Sequence, residues 1–187
     1  MRQLTILFLI GTFLNLNAQD FRDVNWGDSP GVVKSKENAA FLTAKSAEDE
    51  LYYESMLNNK KVEIAYKFID NKLVRAGYLF QEKYTDANMY YTDYLNLKSL
   101  LVKKYGNPDK YDQQWTSEVY KGDLDQMGNA LKSGHVFIIE CWEGENTEIV
   151  HALYNREGKI RHAIEYSSTK LADLEKKKKE DSVLDDL

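Results

Sequence analysis

The sequence predicts an α+β protein, one antiparallel sheet of about six or seven strands with helices packed on one face. Three observations carry this expectation. In residues 61–68, Val62, Ile64, Tyr66 and Phe68 alternate with Lys61, Glu63 and Lys67, so a strand here has one apolar and one polar face. A half-polar face implies a sheet covered on one side only, which antiparallel sheets tolerate. Tyr90, Tyr94, Leu97, Leu101 and Tyr105 recur at spacings of four, three, four and four, a single apolar stripe on a helix. Strand-like runs then occur on both sides of that helix, separated by turn residues.

From the N-terminus, residues 1–19 read as a signal peptide: Arg2, an apolar run from Leu4 to Leu14, and a cut near Ala18/Gln19. The run is shorter than the about 20 residues of a membrane span, and no Cys follows it to take a lipid. The expected mature chain is periplasmic or secreted, with no membrane span and no lipid anchor. Gly27-Asp28-Ser29-Pro30 opens a short helix, with Ser29 as N-cap and Pro30 in the first position. Val32, Val33, Lys36 and Phe41 form its modest stripe. Strands are expected at 51–56, 61–68 and 74–80, the last two joined by Asp70-Asn71. Asp86 is placed to cap the long helix, Lys103 and Lys104 suit its C-terminal dipole, and Gly106 and Pro108 end it.

Four more strands follow at 115–120, 135–142, 149–154 and 160–166. The last two make a hairpin around Asn155-Arg156-Glu157-Gly158, whose glycine suits a positive φ. Residues 121–134 form either a loop or a one-turn helix at 125–131. The halves echo each other: Glu63-Ile64, Phe68, Asp70 and Lys72-Leu73 against Glu148-Ile149, Leu153, Asn155 and Lys159-Ile160. Residues 20–166 therefore read as one domain, divisible into helix-plus-strands repeats 20–85 and 86–166. Residues 167–187 are a charged tail, helical or disordered.

Charge and composition narrow the function. The net charge of −5 becomes −6 when Arg2 leaves with the signal, and the basic run Lys176–Lys179 is flanked by Glu175, Glu180 and Asp181. Nucleic acid is therefore not an expected partner, since phosphate binding needs clustered, unopposed cations. Cys141 stands alone, so no disulfide is available, and its apolar strand setting predicts a buried structural thiol. No Gly-x-Ser-x-Gly, His-Glu-x-x-His or phosphate loop occurs. Asp123–Gly128 starts like a calcium loop but has Met127 and Gly134 where oxygen ligands belong. Glu140, Glu143 and Glu145 read as a solvated strand end rather than a glycosidase pair.

That leaves no catalytic residues and no cofactor among the expectations, and two candidate sites. Pairing Tyr154 with Lys159 across a four-residue turn sets His151 opposite His162, within reach of one metal ion. No third ligand is placed beside them, and Ile149, Leu153, Ile160 and Ile164 share their face, so the pair reads first as lining of the sheet–helix interface. Thirteen tyrosines supply the other candidate. Tyr and Trp join an apolar ring to a polar tip and suit binding faces; Tyr52, Tyr78, Trp115 and Trp142 are the candidate binding residues. The expected function is a non-enzymatic exported binding or accessory module holding a protein or cell-envelope component on its open sheet face. The alternative is a metal-dependent or other hydrolase using the His151/His162 face.

Residues 21–33, Phe-Arg-Asp-Val-Asn-Trp-Gly-Asp-Ser-Pro-Gly-Val-Val, resemble the start of many small exported bacterial proteins, where a Trp-Gly-x-Ser-Pro turn leads into a helix with paired valines. Residues 100–108, Leu-Leu-Val-Lys-Lys-Tyr-Gly-Asn-Pro, resemble their second helix and its Tyr-Gly-x-Pro exit. The pattern is similar to the beta-lactamase-inhibitor-protein-like and outer-membrane-assembly-lipoprotein-like folds. That resemblance implies helices on one face of an antiparallel sheet and carries over no catalytic residue. The chain departs from the assembly lipoproteins in lacking a lipidated Cys.

Overall fold

The computed structural model describes residues 19–185, so the expected signal peptide, apart from Gln19, lies outside the described residues. The strands are β1 (Ala40–Phe41), β2 (Glu50–Leu57), β3 (Lys60–Ile69), β4 (Lys72–Phe80), β5 (Lys110–Trp115), β6 (Val136–Glu143), β7 (Thr147–Arg156) and β8 (Lys159–Ser168). With them come helices α1 (Pro30–Lys36), α2 (Asn88–Tyr105), α3 (Met127–Lys132) and α4 (Ala172–Asp185). The strands make one antiparallel sheet of eight, in the order β1-β2-β3-β4-β8-β7-β6-β5. Each half is thus a helix followed by a four-strand meander, and the halves meet where β4 pairs with β8. The count exceeds the expected six or seven by the two-residue β1.

Three tight turns set the register. Asn58-Asn59, Asp70-Asn71 and Glu157-Gly158 all have positive φ at both positions, the type I′ geometry that matches the right-handed twist of a hairpin. Asn59, Asn71 and Gly158 tolerate this conformation best because of their short or absent side chains. The last turn is two residues long, not four: Arg156 pairs with Lys159. The change slides the ladder by one position on each strand, which preserves the faces but alters which residues are opposed.

Strand alternation sends Leu51, Tyr53, Ile64, Tyr66, Ile138, Leu153 and Ile164 to one face, where they are buried. α1, α2 and α3 cover it, α1 through Val33, α2 through Tyr94, Leu97 and Leu101, and α3 through Met127 and Leu131. Of the stripe expected on α1, only Val33 is buried; Phe41 lies in β1 and is exposed. The N-caps differ in quality. Ser29 Oγ accepts from Val32 N at 3.4 Å, whereas Ala87 occupies the cap of α2 and Asp86, one residue earlier, accepts from Asn88 N at 2.9 Å. At the other end Gly106 has φ 84°.

One strand needs correction. The strand placed at 115–120 is β5, Lys110–Trp115, and residues 116–121 turn instead. β5 is an edge strand bonded to β6 alone; its main chain is held by the ladder while polar side chains stay in water, so apolar content does not reveal it. Helices α1, α2 and α3 take the single face expected, and the segment expected as a charged tail adds one exception. α4 lies against the opposite, open face, where Glu175 binds Arg75 and Lys178 Nζ is 3.6 Å from Asp49. Residues 121–134 resolve into a 3-10 turn, Leu124–Gln126, and α3, with Asp123 Oδ1 accepting from Asp125 N at 3.0 Å. Among the described residues no helix is long and apolar enough to cross a membrane.

Candidate functional site

Under α2 lies a buried polar network. Along β6 the inward positions read Val136, Ile138, Glu140, Trp142, so one carboxylate interrupts an apolar face. Glu140 is 0 % exposed and forms an ion pair with Lys98 of α2. Its second oxygen faces His151 Nδ1 at 3.5 Å, long for a hydrogen bond. His151 Nε2 in turn lies 2.9 Å from His162 Nε2. A single proton fits between those nitrogens, and we assign it to His162, which leaves the His151 Nδ1–H directed at the carboxylate. The Tyr94 ring stacks on His151 at 4.1 Å and Phe80 on His162 at 4.4 Å. Close by, Lys60 Nζ contacts Tyr84 Oη at 2.6 Å and Asp93 at 2.9 Å.

Burial fixes the charge states. Desolvation pulls His162 down to about 3, aided by the neighbouring His151 and Lys60. Desolvation also lowers His151, outweighing the opposite pull of Glu140. Burial acts to raise Glu140, but His151, Lys98 and Tyr94 together hold it below the ordinary carboxylate value. The network is therefore one anion, one cation and two neutral imidazoles.

The structure does bring His151 and His162 together, as diagonal neighbours: the two-residue turn opposes Leu153 to His162 and Ile164 to His151. The arrangement is a poor fit to a shared metal. Two tetrahedral zinc ligands at about 2.0–2.1 Å stand roughly 3.3 Å apart with both lone pairs on the ion, whereas these nitrogens point at each other at hydrogen-bond distance. Among the described residues no three His, Cys, Asp or Glu groups are placed to hold a metal. Glu140 is also corrected, from solvated strand end to core. Its signal was present in the alternation of β6, although Lys98 as its partner requires knowing that α2 crosses β6. Cys141, with the opposite parity, lies half-buried on the open face rather than in the core.

The second candidate is a cleft of about 720 Å³ at the sheet end where α2 exits, within the about 300–1,000 Å³ common for ligand sites. Tyr78, Tyr105, Trp142 and Tyr166 wall it, with Phe21 5.2 Å from Tyr78 and 5.0 Å from Tyr166. Trp142 Nε1 donates to Gly106 O at 2.9 Å, which ties that wall to the α2 terminus. The rim carries both signs, Arg22 and Lys104 against Asp20, Asp109 and Glu143. Tyr78 and Trp142 thus fall in one place. The other two candidate aromatics do not join them. Trp115 packs at the margin of the second core cluster, as Tyr90 and Tyr120 also do. Tyr52 alone is on the open face, where its hydroxyl donates to Glu50 Oε2 at 2.9 Å and burial with that carboxylate pushes its pKa up to about 12. Strand parity is the reason, since Tyr78, Trp115 and Trp142 all occupy inward positions. Tyr105 and Tyr166 were legible only as core residues.

No protein-family model, curated protein or solved structure matches the chain.

Proposed function

We propose that this chain is an exported, non-enzymatic binding module whose ligand, a protein or cell-envelope component, seats in the aromatic cleft. One observation carries the reading: four aromatic side chains converge on a roomy cleft with a mixed-charge rim, the composition typical of interface anchors. The histidine pair is a weaker basis for a hydrolase, because His151 is 0 % and His162 6 % exposed and their ring nitrogens are turned to each other. Export rests on the reading of residues 1–19. The tandem reading belongs here as well: the strand order is what two fused helix-plus-strands units produce, in keeping with the resemblance to the inhibitor-like and lipoprotein-like folds.

The test is capture of ligand from an envelope extract by the protein and two variants. Tyr105→Ser removes a cleft wall, and Tyr52→Ser removes the aromatic group of the open face. We expect Tyr105→Ser to weaken capture at least about tenfold, as loss of an interface anchor does, and Tyr52→Ser to leave it unchanged. The reverse pattern would move the site to the open face.

A further inference from the structure

Past the row Leu79↔Ala163 the two meanders part. The chain after β4 stays with β3, Gln81 N donating to Lys61 O at 2.9 Å, whereas residues 159–162 of β8 pair with β7 alone. Between them opens a pocket of about 380 Å³, flanked by Ala87 before α2 and Lys132 at the end of α3. It lies at the far end of α2 from the aromatic cleft, and that helix of 18 residues is about 27 Å long. The floor is aromatic. The Tyr84 and Tyr90 rings meet edge to face at 5.0 Å, and Phe80 lies flat on His162.

Lys83, Lys132, Lys159 and Arg161 line this pocket against one acidic residue, Glu82. None of the four cations forms an ion pair among the described residues. Glu82 is engaged, its Oε1 accepting from Lys61 N at 2.8 Å. Two further acids stand outside the lining: Asp86 accepts from Asn88 N, and Glu157 faces Arg156. In a chain of net charge −5, four like charges gathered from three segments repel one another, and a bound anion relieves that cost. The backbone that carries them is fixed. Asn155 Nδ2 donates to Lys132 O at 2.9 Å and Asn155 Oδ1 accepts from Gly158 N at 3.0 Å, which ties the end of α3 to the turn leading into Lys159. Tyr90 Oη donates to Glu82 O at 3.3 Å and accepts from Tyr84 N at 3.2 Å, which holds the Lys83 segment against α2. We propose that this pocket binds a phosphate monoester carried on a ring-sized group, a phosphorylated sugar or its lipid-linked form. A monoester brings close to two negative charges and three acceptor oxygens at pH 7, enough for several donors at once. The aromatic floor receives the face of the ring, and the volume lies within the range of small-molecule sites.

Calorimetric titration of the purified protein with phenyl phosphate tests this. We expect a Kd of roughly 1 mM or below, at least about tenfold tighter than for benzoate, which offers the same ring with one charge. Lys83→Ala with Lys132→Ala should weaken phenyl phosphate at least about tenfold, because hydrogen bonds to charged groups are the strong ones. Lys103→Ala with Lys177→Ala removes the same charge elsewhere and should change nothing. All four lysines are exposed, so folding is left intact. Phenyl phosphate that does not bind, benzoate that binds as well, or equal loss in the two double variants would each overturn the proposal. Flotation with phosphatidylcholine vesicles, with and without phosphatidylinositol monophosphate, separates the sources. Capture by the phosphorylated vesicles alone, reversed by phenyl phosphate, assigns a lipid headgroup; phenyl phosphate binding without vesicle capture assigns a soluble ligand. Tyr105→Ser, which removes a cleft wall, should leave phenyl phosphate binding unchanged, so the two sites stand or fall separately.

Discussion

Lowering the pH from 6.5 to 4.5 should strip about 2 kcal/mol or more from the stability of this protein, and His162 with His151 should be the source. An unfolded histidine takes its proton near pH 6.5. In the folded protein His162 resists protonation down to about 3, and His151 is lowered as well. Between these limits the unfolded chain binds more protons than the native one, so stability falls as pH falls. Each fully mismatched histidine contributes about 1.4 kcal/mol per pH unit once the unfolded group is charged. His162 alone gives a slope approaching about 1.4 kcal/mol per unit, and the lowered His151 steepens it, against a total stability of about 5–15 kcal/mol for a domain. Below pH 4.5 the lowered Glu140 adds to the loss, whereas Glu165, raised by burial, acts above pH 4.5 and in the opposite sense. Urea melts at successive pH values measure the slope. The double variant His151→Leu with His162→Leu should flatten it between pH 6.5 and 5, and a slope that survives would place its origin elsewhere. The single variant His162→Leu should be worse than the double at neutral pH. It leaves His151 Nε2 buried without its 2.9 Å partner, at a cost of about 1–3 kcal/mol.

The parts of the fold that were legible in advance are those whose physics is local. Val62, Ile64, Tyr66 and Phe68 alternate because a pleated strand half-covered by helices imposes a period of two, and all four are buried. Tyr94, Leu97 and Leu101 line one side of α2 for the corresponding helical reason. What escaped was set by non-local partners. β5 is a strand because β6 offers a ladder, and its own side chains carry little signal. The Glu157-Gly158 turn is tight because Glu157 accepts a φ of 55°, a choice the alternative four-residue loop left open. α4 has no apolar stripe to announce its place; ion pairs from Arg75 and Asp49 bring it to the open face.

The candidate sites divide in the same way. Tyr78 and Trp142 were singled out as amphipathic aromatics, and their meeting in one cleft depends on β4 and β6 having only β8 and β7 between them across the seam. Trp115 had the same chemistry and a different address. The histidines share a face by parity alone, so their proximity survived a turn of the wrong length. Their burial did not follow from parity, because it needs α2 overhead, with Tyr94 against one ring.

The seam itself rests on one glycine. Gly77 sits on the open side of β4, opposite Glu165 of β8. A β-carbon there would lie 2.5 Å from the Ile164 carbonyl oxygen and 3.1 Å from the Glu165 α-carbon. Both are backbone atoms of the neighbouring strand, so no rotamer change relieves the clash; β4 and β8 must separate or twist apart. Gly77→Val should therefore cost about 3 kcal/mol or more, the upper range of overpacking penalties, even though valine favours strands elsewhere. Only five residue pairs, Arg75↔Ser167 to Leu79↔Ala163, join the two meanders through β4 and β8. The damage should accordingly be directional. Hydrogen exchange should show lost protection first at Gly77, Leu79, Ala163 and Glu165, with β2–β3 and β6–β7 amides holding out longer. Uniform loss across the sheet would mean that the halves fold as one cooperative unit and that the seam is no weaker than the hairpins it joins. Gly77→Ala presents the same first carbon with less bulk, so it should reproduce the pattern at smaller amplitude and confirm that backbone approach, rather than side-chain size, is the cause.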